Sequence, residues 1–254
     1  MKVSIFQQDI AWGDPAANLS KLDTALAECP GSDLYVFPEM FTTGFATKPG
    51  SKIDDTPDIT IEWMRSKAAA FDCAMAGSVA MKGEDGKRVN RFCFVTPDGK
   101  LTIADKRHLF TYGGEPETFT PGSDRVVVEF RGVRFLILVC YDLRFPVWSR
   151  NRADYDAVIY VANWPDVRQH AWDTLIQARA IENQCYVIAA NRCGEDPVCK
   201  YLGGSAVVSP FGDVLARAED YREQWVTADL DMAVLKAFIA KFPVLEDADD
   251  FRLL

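Results

Sequence analysis

The stretch RFLILVCYD, residues 134–142, marks the junction from which the fold and the chemistry can be worked out. Its five apolar residues, 135–139, are typical of a strand that is buried on both faces of a sheet. The strand ends at Cys140, and a polar turn and Pro146 follow. Because α/β folds place active sites at the carboxyl ends of such strands, this thiol is a candidate nucleophile. A free cysteine is more often a small core residue, so the rest of the chain has to decide between these interpretations.

The composition predicts an ordinary soluble globular protein. The 254 residues are 48% hydrophobic and 26% charged, and no apolar run approaches the roughly 20 residues that span a bilayer. The amino-terminal sequence MKVSIF has a strand pattern and no signal-peptide architecture. The seven cysteines are an odd number without dense spacing, which predicts reduced thiols and a cytoplasmic location. The net charge of −9 argues against nucleic acid or an anionic membrane as a partner.

The sequence lacks the motifs that usually bind metals or nucleotide cofactors. Its two histidines, His108 and His170, have no ligand-like spacing, and no Cys-x-x-Cys occurs. Glycine-rich dinucleotide and phosphate loops are absent, and so is the Gly-x-Ser-x-Gly motif of serine hydrolases. We therefore predict no metal and no cofactor, with any chemistry carried by side chains alone.

Strand and helix patterns alternate along the whole chain without a linker, which predicts a single domain over residues 1–254. The predicted strands are residues 3–7, 34–37, 73–79, 92–95, 101–103, 135–139, 157–161, 185–190, 206–209 and 214–216. Helices are predicted to begin at Asp14-Pro15 and Thr56-Pro57 and to cover residues 169–183. The carboxyl-terminal segment, 234–254, is either a tail that packs on a second subunit or a frayed acidic end.

The order of these elements recurs, which suggests an internal repeat. A Gly-Glu-Asp loop and a proline-glycine turn occur at 83–85 and 97–99, and again at 194–196 and 210–212. A duplication of this kind predicts two half-domains related by a pseudo-twofold axis, with two sheets face to face and helices outside. The expected fold is a four-layer α-β-β-α sandwich. Chance is the alternative, because such turns are common in hairpins.

Glu39 and Lys106 stand out beside Cys140 as candidate catalytic residues. Glu39 follows the apolar stretch 35–38, where a buried carboxylate is unfavourable unless it is paired or used. The alternatives are a strand-end glutamate that reaches solvent and a lysine in a solvated charge cluster. Together the three residues have a chemical logic. A lysine ammonium lowers the pKa of a neighbouring thiol and stabilises an oxyanion, and a glutamate accepts the thiol proton and later activates water.

Three motifs resemble those of the nitrilase, or carbon–nitrogen hydrolase, superfamily: FPEM at 37–40, DKRHLF at 105–110 and CYDLRFP at 140–146. Their order and spacing match, and the resemblance extends from Val3 to about Asp231. It implies a Glu-Lys-Cys triad on an α-β-β-α sandwich, with subunits that pair into homodimers or larger homo-oligomers. The matching residues imply roles of general base for Glu39, oxyanion-binding lysine for Lys106 and nucleophile for Cys140.

The resemblance also implies a second glutamate shortly after the lysine. Glu115, in GGEPE at 113–117, is the candidate, and Glu117 is the alternative. A glutamate in such a turn-rich stretch is otherwise an exposed loop acid. The backbone N–H of Tyr141, which follows the nucleophile, is the expected second donor to the oxyanion.

At a finer level, EMFTTGF at 39–45, DKRHLF and NWP at 163–165 resemble omega-amidases. Those enzymes hydrolyse the terminal amide of 2-oxoglutaramate or 2-oxosuccinamate to the 2-oxo dicarboxylate and ammonia. The expected route is two-step acyl transfer through a cysteine thioester. The alternatives are another hydrolase of the superfamily, such as a carbamoylase, a nitrilase or another aliphatic or biotin-type amidase, and a catalytically silent interaction protein on the same fold.

A substrate of this kind needs a positive or hydrogen-bond-donating group at its far end, and Arg144 is the sequence candidate. Its alternative role is to pair with Asp142 or another acid and brace the nucleophile turn. Trp164 and Phe45 are expected to wall the pocket, although aromatic residues at strand ends are as often core residues. Both histidines and the six other cysteines are interpreted as structural or incidental.

Overall fold

The computed structural model describes residues 1–47, 57–83 and 86–251. The expected helix start at Thr56, the loop residues Glu84 and Asp85 and the last three residues of the tail lie outside the described residues. Within the described residues, no helix is long and apolar enough to cross a membrane.

The first of two six-stranded sheets has the strand order β14-β1-β2-β3-β4-β5. Strands β1, β2 and β3 are parallel; β14 is antiparallel to β1, β4 is antiparallel to β3, and β5 is antiparallel to β4. The strands are β1 (Lys2–Gln7), β2 (Leu34–Val36), β3 (Ala74–Lys82), β4 (Arg88–Val95), β5 (Leu101–Asp105) and β14 (Gln224–Asp229).

The second sheet has the order β13-β12-β9-β8-β7-β6, and its parallel strands are β7, β8 and β9. Its strands are β6 (Val127–Phe130), β7 (Val133–Val139), β8 (Ala157–Ala162), β9 (Tyr186–Asn191), β12 (Ala206–Val208) and β13 (Val214–Arg217). A separate hairpin joins β10 (Cys193–Glu195) to β11 (Lys200–Leu202).

The two sheets repeat the same pattern of strand directions. Each has three parallel strands at its centre, one further strand on one side and two on the other, and every further strand is antiparallel to the strand with which it pairs on its inner side. By this pattern β7, β8 and β9 correspond to β1, β2 and β3. The prediction of two equivalent sheets is therefore confirmed at the level of strand order.

Helices flank the paired sheets. They are α1 (Pro15–Glu28), α2 (Pro57–Phe71), the short α3 (Pro146–Ser149), α4 (Gln169–Asn183) and α5 (Met232–Lys241). Helix α1 begins as expected, because the Asp14 side chain accepts a hydrogen bond from the backbone N–H of Ala17. Between the sheets, the Phe94 ring meets Phe130 and Phe135 at centroid distances of 6.1 and 6.0 Å. The observed layers are those of the four-layer sandwich that the sequence predicts.

Several boundaries differ from the sequence predictions. Strands β3 and β4 form a longer hairpin than expected. The pairing continues along β3 from Val79 to Lys82, and the facing part of β4 contains the polar residues Arg88 and Asn90, which interrupt the apolar pattern. Strands β6, β10, β11 and β14 have too little apolar alternation to be recognised. The expected tail from Val234 begins inside helix α5, whose first turn is capped by the Asp231 side chain. The interpretation of the entire segment as a frayed end is therefore wrong.

Candidate active site

Four side chains proposed from the sequence meet where strands of both sheets end. Glu39 follows β2, Lys106 directly follows β5, and Cys140 directly follows β7. Glu115 begins the one-turn 3-10 helix Glu115–Glu117. All four are buried, and Glu39 and Glu115 have no exposed surface. The expectations of a solvent-reaching Glu39, a solvated Lys106 and an exposed Glu115 are therefore wrong.

Lys106 links the two buried glutamates. Its Nζ donates to Glu39 Oε1 at 2.9 Å and to Glu115 Oε2 and Oε1 at 2.9 and 3.1 Å. Burial by itself would lower the pKa of Lys106, but the two carboxylates raise that pKa above its ordinary value. Burial raises the pKa of Glu115, against the attraction of Lys106. The lysine is therefore held as an ammonium, as a buried charge that is paired with carboxylates on both sides.

Donors from both sheets fix the orientation of Glu39. Asn90 Nδ2 donates to Oε1 at 2.7 Å, and the backbone N–H of Asn163 donates to Oε2 at 2.9 Å. Asn163 Nδ2 also donates to the Glu39 carbonyl oxygen at 2.6 Å. Ser78 Oγ in turn donates to Asn90 Oδ1 at 2.8 Å. The sequence analysis missed Ser78 and Asn90, although polar residues inside apolar strands are a usable signal for a buried network.

Glu115, and not Glu117, lies against Lys106. The backbone N–H of Phe110 donates to Glu115 Oε2 at 2.6 Å, and Asn90 Nδ2 approaches Oε1 at 3.3 Å. Glu117 is exposed and lines the rim of a cavity. The two-residue uncertainty in the sequence assignment is thus resolved in favour of Glu115 as the acid in contact with the lysine.

Cys140 occupies a strained turn at the end of β7. Its φ is +45°, in the left-handed region that residues other than glycine seldom adopt. The 3-10 helix Cys140–Arg144 begins there, and the backbone N–H of Val139 donates to Asp142 Oδ2 at 3.1 Å. A sharp turn directly after a buried strand places the thiol at the carboxyl-terminal edge of the sheet.

Asp142 ties this turn to the segment that carries the lysine. Asp142 Oδ1 accepts the backbone N–H of His108 at 2.9 Å and lies 2.8 Å from His108 Nδ1. The His108 ring stacks on Phe145 with a centroid distance of 3.8 Å. The expectation that Arg144 pairs with Asp142 is wrong, because Asp142 is occupied by these N–H groups and Arg144 lies over the Trp164 ring at 4.8 Å. Within the described residues, Arg144 has no ion pair.

The environment of Cys140 raises the pKa of its thiol well above the ordinary value. Burial is the main cause, and the negative charge of Glu39 adds to it. The charge of Lys106 and the backbone N–H of Asn163 oppose the shift without cancelling it. The expectation of a lowered thiol pKa is therefore wrong, because burial and the charge of Glu39 outweigh the effect of Lys106. Because the thiol stays protonated, a nucleophilic attack needs an adjacent base, and Glu39 is in place to accept the proton.

A cavity of about 1070 Å³ opens beside Cys140. The three pocket residues expected from the sequence, Phe45, Arg144 and Trp164, line it, and so does Tyr141, which was expected as a backbone donor to the oxyanion. Further lining residues that the sequence analysis missed include Trp12, Phe110, Tyr112, Val167, Arg168, Cys199 and Tyr201. Among residues 1–47, 57–83 and 86–251, no group of three or more His, Cys, Asp or Glu is placed to hold a metal ion.

This arrangement combines a nucleophile, a base and a charged hydrogen-bond donor. The Cys140 thiol, the Glu39 carboxylate and the Lys106 ammonium suit addition to a polarised carbonyl carbon. An aromatic wall and a half-buried guanidinium at the same cavity suit a small substrate with an anionic end.

Comparison with known proteins gives matches over nearly the whole chain. The family model described as carbon-nitrogen hydrolase matches residues 2–240. Omega-amidase YafV of Escherichia coli (strain K12) is 46% identical over 254 residues, covering 100% of this chain and 98% of that protein. The 2-oxoglutaramate amidase of Bacillus subtilis (strain 168) is 32% identical, covering 96% of each chain.

The solved structures agree with this match. XC1258 from Xanthomonas campestris is described as a CN-hydrolase superfamily protein with an arsenic adduct in its active site. It superimposes on this chain with a TM-score of 0.96 at 40% identity, covering 100% of this chain and 99% of that one.

Proposed function

The chain belongs to the carbon–nitrogen hydrolase family, and we propose that it is an omega-amidase that acts through a cysteine thioester. The substrate is a small 2-oxo acid with a terminal amide, such as 2-oxoglutaramate or 2-oxosuccinamate. The products are the 2-oxo dicarboxylate and ammonia. The names of the E. coli and B. subtilis relatives support this substrate class.

The observation that carries the proposal is the buried Glu39–Lys106–Glu115 cluster beside the Cys140 thiol. In the first step, Cys140 Sγ attacks the amide carbon while Glu39 accepts the thiol proton. The oxyanion that forms is stabilised by Lys106 Nζ and by the backbone N–H of Tyr141. Lys106 is already charged before the substrate arrives, so this stabilisation requires no proton transfer.

In the second step, the C–N bond breaks and Glu39 returns its proton to the departing nitrogen. Ammonia leaves, and the acyl group stays on Cys140 as a thioester. Glu39 then takes a proton from water, and the resulting hydroxide attacks the thioester carbon. The C–S bond breaks, Glu39 reprotonates the thiolate, and the carboxylic acid is released.

Glu115 has a supporting role in this scheme. Its two oxygens accept from Lys106 Nζ and keep the ammonium charged and directed toward the reacting carbonyl. Asn90 and Asn163 hold Glu39 in the position that the proton transfers require.

Arg144 is the proposed partner of the substrate carboxylate. It is half-buried, lines the cavity and lies over the Trp164 ring, with no acidic partner in the part of the chain that the structure describes. A guanidinium in that position can donate to a carboxylate with two N–H groups at once. Phe45 and Trp164 enclose the carbon chain of the substrate.

Ammonia release from 2-oxoglutaramate tests the proposal, with the wild-type protein beside Cys140→Ala. Release by the wild type alone is the expected result. No release by the wild type overturns the substrate assignment, and a panel of nitriles, carbamoyl amines and neutral amides then identifies the reaction. Equal release by both proteins overturns the mechanism, because no thioester forms without the thiol.

We also propose a single domain that works in the cytoplasm as a homodimer or larger homo-oligomer. All seven cysteines are free thiols, which suits a reducing compartment. Three large apolar side chains near helices α4 and α5, Ile181, Phe211 and Phe242, are at least half exposed. A patch of this kind is suited to burial against a second copy. Light scattering at several protein concentrations tests the assembly, and a strictly monomeric mass would contradict it.

A further inference from the structure

We propose that Arg168, at the outer end of the cavity, is a second anion-recognising residue that captures negatively charged amides and sets the preference for them over neutral amides. This inference rests on the proposed function, since it concerns an anionic substrate of the same site. It adds a residue that neither the sequence motifs nor the resemblance single out.

Arg168 is held at the cavity by aromatic side chains. Its guanidinium lies over the rings of Phe110 and Tyr112 at 5.2 and 6.0 Å from their centroids. Its carbonyl oxygen accepts the indole N–H of Trp164 at 2.9 Å. Trp164 is also the ring beneath Arg144, so one buried tryptophan positions both arginines. Cation–aromatic contact fixes the plane of a guanidinium and leaves its N–H groups available.

The guanidinium of Arg168 is available for a ligand. Like Arg144, it has neither an ion pair nor a side-chain hydrogen bond within residues 1–47, 57–83 and 86–251. The neighbouring acids have other partners. Asp196 accepts the Tyr201 hydroxyl at 2.6 Å and the backbone N–H groups of Val198 and Cys199 at 2.7 Å. Asp166 accepts the hydroxyl of Tyr221 at 3.4 Å.

The exposure of the lining residues shows which end of the cavity is open to solvent. Cys140 and Trp164 are 8% and 3% exposed, whereas Tyr112 and Val167, which flank Arg168, are 88% and 81% exposed. Arg144 therefore lies on the inner part of the wall and Arg168 near the entrance. An anion that enters toward Cys140 meets Arg168 first.

The positive charge of Arg168 at the entrance affects the approach of an anionic substrate. The chain carries a net charge of −9, which repels an anionic substrate at long range. A cation at the rim of a cleft offsets the repulsion locally and speeds encounter, and its influence falls as salt screens it. Arg168 is thus expected to act mainly on capture, and Arg144 on the bound carboxylate.

The test compares kcat/KM for 2-oxoglutaramate with kcat/KM for butyramide, an uncharged amide. Arg168→Met keeps an unbranched, apolar side-chain stem and removes the charge, and Arg168→Lys restores the charge. The matched control is Arg152→Met, which removes an exposed guanidinium that lies over Phe251 at 5.0 Å and does not line the cavity.

We expect Arg168→Met to lower the ratio of kcat/KM for 2-oxoglutaramate to kcat/KM for butyramide about tenfold. The loss should come chiefly from a higher KM for 2-oxoglutaramate and not from a lower kcat. Arg168→Lys should recover most of this ratio, and Arg152→Met should change it less than about twofold. Raising the ionic strength from about 0.02 to 0.3 M screens both the attraction by Arg168 and the repulsion by the net negative charge of the chain. The advantage of the wild type over Arg168→Met in kcat/KM for 2-oxoglutaramate should therefore shrink as salt is added, because the variant has only the repulsion to lose. If butyramide turns over too slowly to measure, the salt dependence alone tests the role of Arg168.

A ratio and a salt dependence in Arg168→Met that equal those of Arg152→Met overturn the inference. An equal loss for both amides overturns it as well, because it indicates a structural role for Arg168. Failure of the proposed function has a different signature, since the wild-type protein would then release no ammonia from 2-oxoglutaramate.

Discussion

The two sheets share one strand order, but the residues that follow their strands at the site differ in charge. The first sheet leads into the ionic residues Glu39 and Lys106, whereas the second leads into Cys140 and Asn163, which carry no charge at neutral pH. The corresponding middle strands, β2 and β8, end at residues that contact each other, because the Asn163 N–H donates to Glu39 Oε2. The fold is repeated, and the functional groups are not.

This division has a physical reason. Buried charges are tolerated when they satisfy one another, so Lys106 and its two carboxylates belong together on one side. A protonated thiol is a small, weakly polar group that is buried at little cost. In the proposed mechanism, a proton moves across the boundary between the two sheets, from Cys140 to Glu39. The following predictions test this division, in order of decreasing effect.

Cys140→Ala should remove the contribution of the second sheet to the chemistry. We expect kcat to fall by about 10⁵-fold, since the covalent route is lost while the buried ions are retained. Ammonia assays should be combined with mass spectrometry of rapidly quenched enzyme. Only the wild type should carry the added mass of an acyl group. An acyl adduct on Cys140→Ala would place the nucleophile elsewhere.

Lys106→Met should damage the first sheet in two ways. Two buried carboxylates lose their cation, which should destabilise the protein by about 3–5 kcal/mol, and kcat should fall about 10³-fold through loss of the oxyanion donor. Urea unfolding measures the stability. The double variant Lys106→Met/Glu115→Gln should recover part of the stability without recovering activity. Stability losses that add would show that Lys106 and Glu115 are not energetically coupled.

Asp142→Asn should loosen the connection between the two halves of the site. One Asp142 oxygen accepts from Val139 and the other from His108, so an amide nitrogen would face an N–H donor in either orientation. We expect kcat to fall about 10- to 100-fold, with KM little changed and slower alkylation of Cys140 by iodoacetamide. Unaltered alkylation with reduced kcat would contradict a role in positioning the thiol.

The pH dependence of thiol alkylation reports the electrostatic effect of Glu39 on Cys140. Because the thiol pKa is raised, the alkylation rate of the free enzyme should still be rising above pH 9. Glu39→Gln removes a nearby negative charge, so alkylation at pH 8 should become several-fold faster although amide hydrolysis is lost. Slower alkylation in Glu39→Gln would mean that Glu39 activates the thiol in the resting enzyme as well.

The sequence by itself determined much of the local structure and singled out the candidate reacting groups. The apolar run 135–139 specifies a buried strand, and the Asp14-Pro15 start of α1 satisfies its own first turn. Glu39, Lys106 and Cys140 were found because each is a reactive residue in an apolar setting and each belongs to a motif. These features depend on neighbours in the chain, which is why a linear pattern reveals them.

The tertiary structure alone decided how these groups affect one another. Asn163 meets Glu39 across 124 positions of sequence. Burial and the charge of Glu39 raise the pKa of Cys140, because together they outweigh the opposing charge of Lys106. Arg144 turned out to face Trp164 instead of Asp142, and Arg168 joined the same cavity. Long-range contacts and desolvation depend on the complete packing of both sheets, and no single segment contains that information.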